Sequence, residues 1–135
     1  MRILLDTHIL LWFNTEDKRL SDKAWDILLN PNNILYYSTI NIWETQIKYI
    51  KLPNQFNISG EILNNFCIKA NLNCIHVKPE HAFALKTLKY SEEAPLPHKD
   101  PFDRMLICQA KTENMMFMTH DSLLPYYNEL CILSV

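Results

Sequence analysis

The chain has 135 residues, with 13 Lys and Arg against 15 Asp and Glu for a formal net charge of −2, and 48% of it is hydrophobic. That length reads as one domain over residues 1–135, able to bury roughly two thirds of its unfolded surface, while the mild acidity argues against a broad basic nucleic-acid footprint. A single glycine, Gly60, excludes Gly-rich phosphate loops of the Walker and dinucleotide kinds, and no apolar run approaches the roughly 20 residues needed to cross a bilayer.

Ile3, Leu4 and Leu5 form a short continuous apolar run, the pattern of a strand buried on both faces of a parallel sheet. Asp6 stands at its carboxyl end, where open α/β sheets bind ligands. Asp6 and His8 also interrupt the apolar start and no small-residue cleavage site follows, so the segment reads as mature structure and the default compartment is the cytoplasm. Thr7 and His8 lead into a short helix through Phe13. Ser21 caps a second helix that Asn30 and Pro31 end, with Ala24, Trp25, Leu28 and Leu29 on its apolar face. Ile34 to Thr39 is β-branched and aromatic, a second strand. From about Ile42 to Lys51 the spacing predicts a helix whose apolar stripe is Trp43, Ile47 and Ile50, with Glu44 one turn from Lys48. Taken alone, that pair reads as a solvated ion pair.

Ile58 to Leu72 is a longer amphipathic helix, its Ile62, Leu63, Phe66 and Ala70 facing a core or a dimer seam. Cys74 to Val77 reads as a third strand and Pro79 opens one helix over residues 79–89, with His76 and His81 structural. A loop over 90–97 precedes His98 to Ala110, where Pro101 suits the first turn of a helix and Asp103 lies near the positive end of its dipole. Asp100 and Asp103 there form either a capping arrangement or part of a catalytic site. Met115 to Thr119 is a fourth strand, followed by His120, Asp121, a short helix and a last strand from Cys131 to Val135. The four cysteines, Cys67, Cys74, Cys108 and Cys131, show no paired spacing and read as reduced core thiols.

Alternating strands and helices imply right-handed crossovers and a parallel sheet covered on both faces. Asp6, Glu44 and Asp121 then share one edge of the sheet, and Asp103 joins them if its helix begins there. Carboxylates so gathered repel unless a cation neutralises them. Hard oxygen donors favour Mg²⁺ or Mn²⁺, and such an ion suits hydrolysis of a phosphodiester.

LLDTHILLW at 4–12, S-x-x-N-x-W-E-x-x-x-K at 38–48, LPHKDPFDRMLICQA at 96–110 and MTHD at 118–121 resemble, in order and nearly end to end, the PIN-domain toxins of VapC type. The resemblance implies a three-layer α/β/α fold around a parallel sheet. It also implies a Mg²⁺-dependent endoribonuclease, dimeric and paired with an antitoxin protein, which hydrolyses RNA by metal-activated water. Position by position, Asp6, Glu44 and Asp103 match the acidic triad and Asp121 the fourth, more variable acid; together they are the implied catalytic and metal-binding set. Thr7 and Thr119 match supporting hydroxyl positions. Asp100 belongs to an H-x-D-P-F-D signature as a supporting or capping residue. Lys48, Arg104 and His98 are candidates for contact with RNA phosphate or an antitoxin carboxylate. His8 stands where broader PIN domains carry Asn or Ser. Two other classes compete: a catalytically inactive PIN-fold module that binds RNA or protein, and an aspartyl-nucleophile phosphatase. All four acids are present against the first; the usual D-x-D pattern is missing for the second, because Thr7 and His8 follow Asp6.

Overall fold

The computed structural model describes residues 1–135. Its five strands are β1 (Arg2–Leu5), β2 (Ile34–Ser38), β3 (Asn73–Ile75), β4 (Met116–Thr119) and β5 (Ile132–Ser134). They form one sheet in the order β3-β2-β1-β4-β5, and every pairing is parallel. Six α-helices fill the crossovers: α1 (Thr7–Thr15), α2 (Asp22–Leu29), α3 (Thr39–Lys51), α4 (Gly60–Lys69), α5 (Pro79–Phe83) and α6 (Pro101–Thr112). No helix is long and apolar enough to cross a membrane.

Strand alternation sorts the core into two halves. Ile3 and Leu5 of β1 and Met118 of β4 pack with Leu10, Ala24, Leu63 and Cys67 under α1, α2 and α4. Leu4 and Phe117 point the other way, to Leu106, Ile107 and Ala110 of α6. A continuous apolar run is therefore what each central strand needs, and the result is the expected α/β/α arrangement around a parallel sheet.

The chain steps from β1 outward to β2 and β3, then returns to the other side of β1 for β4 and β5. The reversal lies between β1 and β4, and a crevice opens outside the carboxyl ends of strands at such a point.

Several boundaries differ from the sequence reading. Helix α4 stops at Lys69 instead of Leu72 because Asn71 turns left-handed (φ 60) and Leu72 N–H donates back to Cys67 O at 3.0 Å. Helix α6 ends in the same way at Asn114 (φ 55), with Met115 N–H donating to Ala110 O, and α1 at Glu16 (φ 51), with Asp17 N–H donating to Trp12 O. These six-to-one bonds satisfy carbonyls the helices leave open. The helix expected over 79–89 breaks after Phe83 into a 3₁₀ turn at Ala84–Thr87, and the tighter winding brings Leu88 into the core. Cys67 and Cys108 are buried thiols, but Cys74 is exposed because β3 is an edge strand.

Glu16 is the one left-handed residue that is not asparagine. Its Cβ strains that conformation by roughly 1–2 kcal/mol. Glu16→Gly is expected to raise stability by about 1 kcal/mol, read as a higher urea midpoint with unchanged slope.

The largest departure is α3. Trp43 and Ile50, expected on its apolar stripe, are exposed, while Ile40, Asn41, Glu44 and Thr45 are buried. The helix turns a mostly polar face to the sheet edge, because that face meets the end of β1 and not the core proper.

Candidate active site

Asp6 leaves β1 and caps α1. Its Oδ1 accepts from Thr7 N–H at 2.7 Å, and its Oδ2 accepts from the Thr119 hydroxyl at 2.6 Å across the β1–β4 reversal. Thr119 Oγ1 in turn accepts from Asp121 N–H at 3.0 Å, and Asp121 Oδ1 accepts from Leu123 N–H at 2.8 Å. One hydroxyl thus ties together the acids that follow the two central strands.

On the other side, Thr7 donates its hydroxyl to Glu44 Oε1 at 2.7 Å, and Lys48 Nζ sits 2.6 Å from Glu44 Oε2. Glu44 is 2% exposed, so this is not the solvated ion pair that the spacing allows. Asn41, to which the sequence reading gave no role, is fully buried. Its amide donates to Thr7 Oγ1 and Leu5 O, and its Oδ1 accepts from Ser38 N–H. The signal available was the Ser38-to-Asn41 spacing of a capping box, here doubled as a clamp between β1, α1 and α3. With the Glu44 carboxylate this buried, removing its cation is costly. Lys48→Met is expected to lower stability by about 2 kcal/mol, less than a fully buried pair would lose because Lys48 is 31% exposed, as chemical denaturation at pH 7 can measure.

Helix α6 precedes β4 and runs antiparallel to the strands, so its first turn lies at the same edge. Asp100 is its N-cap, with Oδ1 accepting from Phe102 and Asp103 N–H. Asp103, in the first turn, is 13% exposed and pairs with His98 Nε2 at 3.1 Å. His98 is turned inward, its side chain 5% exposed and its Nδ1 2.7 Å from Tyr127 Oη, so it does not present the surface expected for an RNA or antitoxin contact. Arg104 is half-buried and does not line the cleft.

The cleft measures about 290 Å³ and is lined by Asp6, His8, Trp12, Glu44, Lys48, Asp100, Asp103, His120 and Asp121. Four sequence-predicted acids therefore meet at one place, joined by Asp100 and faced by one lysine. Burial pushes the Asp6 carboxyl up to about 6, with Glu44 and Asp121 adding to the rise and the hydrogen bonds from Thr119 and Thr7 opposing it. Asp103 is pushed up to about 9, again by burial first and then by Asp6, Asp100, Glu44 and Asp121. Carboxylates held this way bind protons or cations avidly.

The profile of the PIN domain family matches residues 3–129. The chain belongs to that family. Among curated proteins no sequence matches it. Among solved structures, this PIN domain is similar to a chain of VapBC2 from Rickettsia felis bound to a DNA fragment from its promoter. The TM-score there is 0.67 at 18% identity, covering 100% of this chain and 98% of that one. It is also similar to chains of VapBC-1 from nontypeable Haemophilus influenzae (TM-score 0.55, 19% identity, 90% and 87% covered) and of a toxin-antitoxin complex from Klebsiella pneumoniae (0.53, 18%, 89% and 87%). At such identities the likeness speaks for the PIN fold, and the residues of the cleft must carry the chemistry.

Proposed function

We propose that this PIN domain is a Mg²⁺- or Mn²⁺-dependent endoribonuclease, the toxin of a type II toxin-antitoxin pair acting in the cytoplasm. The observation that carries the reading is the meeting of Asp6, Glu44, Asp103 and Asp121 around one cleft, with two of them raised far above the ordinary carboxylate range. A donor set of carboxylate oxygens fits a hard divalent cation. Asp6, Asp103 and Asp121 would hold it, with Glu44 as a further oxygen donor. When bound, the ion supplies an activated water and stabilises the charge that develops on the scissile phosphate.

The chain's own residues do the rest. Thr119 ties the Asp6 carboxylate to the Asp121 backbone, and Thr7 with Asn41 fixes Glu44. Lys48 stands at the cleft wall as the cation available to an RNA phosphate. Asp100 holds the start of α6, and so the position of Asp103.

An antitoxin protein as partner is supported by the solved neighbours, which are toxin-antitoxin complexes. A homodimer is supported by apolar surface on α3: Trp43 and Ile50 are 58% and 67% exposed, and Trp43 stacks edge-on against Phe102 at 5.1 Å. A monomer in sedimentation at micromolar concentration would remove the dimer from this reading.

The decisive assay incubates the protein with labelled RNA and, separately, with a phosphomonoester, each with Mg²⁺ or Mn²⁺ and with EDTA. Internal RNA cleavage that EDTA abolishes is the expected result. Binding of RNA without cleavage would favour the inactive module, and release of phosphate from the monoester alone would favour the phosphatase.

A further inference from the structure

The nuclease reading leaves His98 without work. It lies just before α6, yet its imidazole is buried and aimed at the acids. Its Nε2 and one carboxylate oxygen each of Asp103 and Asp121 lie within 4.8 Å of one another. The Nε2–Asp103 Oδ2 distance is 3.1 Å, and an octahedral ion with bonds of about 2.1 Å has an edge of about 3.0 Å. The His98–Asp103 separation already matches that edge, and Asp121 closes in by up to about 2 Å to complete a face.

The ring is also held as a ligand's ring is held. Nδ1 pairs with Tyr127 Oη at 2.7 Å, and Tyr127 is 4% exposed and packs edge-on against the imidazole at 5.4 Å. A metal-binding histidine directs its other nitrogen to an oxygen partner, which fixes tautomer and orientation. A tyrosine hydroxyl can donate to Nδ1 or accept from it. Nε2 can therefore give up its proton and take an ion without losing its orienting partner.

We propose that the ion held between Asp103 and Asp121 is a first-row transition ion, taken in preference to Mg²⁺ because His98 Nε2 is its third protein ligand. This rests on the metal-site reading above and narrows it. Mg²⁺ is an oxygen-seeking ion that binds through carboxylates and water. An imidazole in the set favours Mn²⁺ through Ni²⁺ increasingly along the series.

The test uses metal-free full-length protein and calorimetric titration with NiCl₂, MnCl₂ and MgCl₂, for wild type and His98→Asn. Asparagine places its amide near the Nδ1 position and removes Nε2. Wild type is expected to bind Ni²⁺ at least ~10-fold more tightly than Mg²⁺, and the variant to lose ~10–100-fold toward Ni²⁺ with Mg²⁺ changed less than ~3-fold. Equal losses for both ions would make His98 a support for Asp103 only, and an unchanged Ni²⁺ affinity would remove it from the site; either overturns the proposal. If wild type binds none of the ions, the nuclease reading falls with it. If wild type binds Mg²⁺ as tightly as Ni²⁺, only the proposal falls. Should the variant fail to fold, ¹⁵N imidazole spectra of wild type decide: Zn²⁺ must move the Nε2 resonance of the histidine that shows proximity to the Tyr127 ring, and Mg²⁺ must not. No movement with Zn²⁺ overturns the proposal.

Discussion

RNA cleavage by the Asp6→Asn protein is expected to fall by about 10³-fold or more, the scale on which losing one preorganised electrostatic contact acts in a water-poor site. The fold should survive the change. Asparagine caps a helix as well as aspartate, so Thr7 N–H keeps its acceptor and α1 its start. The new amide would face Thr119 Oγ1, which can accept from it after the hydroxyl hydrogen turns away. Far-ultraviolet circular dichroism should therefore be native while the rate collapses. Cleavage at the wild-type rate would take Asp6 out of the site.

Asp103→Asn is expected to act in the opposite direction on stability. Asp103 is mostly buried, and its carboxyl is raised to about 9 by burial and then by Asp6, Asp100, Glu44 and Asp121. For an acid raised on folding, the unfolded chain releases its proton first. Stability is then full below the unfolded value near 3.8 and declines as pH climbs from there to about 9. At neutral pH in EDTA the wild type carries most of that loss, whereas asparagine carries none and still pairs with His98. The variant should be more stable by about 1–3 kcal/mol, or ~3–10 °C in melting temperature for a chain of this length. Its stability should also vary less between pH 4 and 9. Millimolar Mg²⁺ or Mn²⁺ should stabilise wild type more than the variant, because only the native cleft gathers the ligands. Equal melting temperatures in EDTA, with equal shifts on adding the ion, would dissolve the idea of a shared metal site.

The sheet was legible because Ile3 to Leu5 and Phe117 with Met118 are unbroken apolar runs, and such runs have few uses outside a parallel sheet buried on both faces. Asp6 and Asp121 were legible for the same reason, as the first acids after those strands. Asp103 required knowing that α6 runs back against the sheet, which follows from the order of elements once the strands are placed.

Glu44 was not legible from periodicity. A helix normally hides its apolar stripe, and α3 does the reverse: Trp43 and Ile50 face outward while Asn41, Glu44 and Thr45 are covered. One hydrogen bond from Thr7 and an ion pair with Lys48 make that burial tolerable, and both depend on contacts distant in sequence or on a helix face no pattern marks. His98 was marked as a contact residue, but its burial was hidden for a related reason. Its neighbours in sequence are exposed, and only the fold brings Tyr127, 29 residues later, to its Nδ1.

The left-handed residues that close α4 and α6, and Asn128 after the 3₁₀ turn at Leu124–Tyr127, are all asparagines in a chain with one glycine. Asparagine enters that region with help from its own short polar side chain, yet in a denatured chain it wanders over far less of conformational space than glycine does. Each such position spares the folding reaction roughly 0.4–1 kcal/mol of lost disorder relative to glycine, set against the residual strain of a Cβ at positive φ at Asn71, Asn114 and Asn128. That contribution touches no neighbour and fills no space. It belongs to the denatured ensemble, and a search among native contacts would never find it.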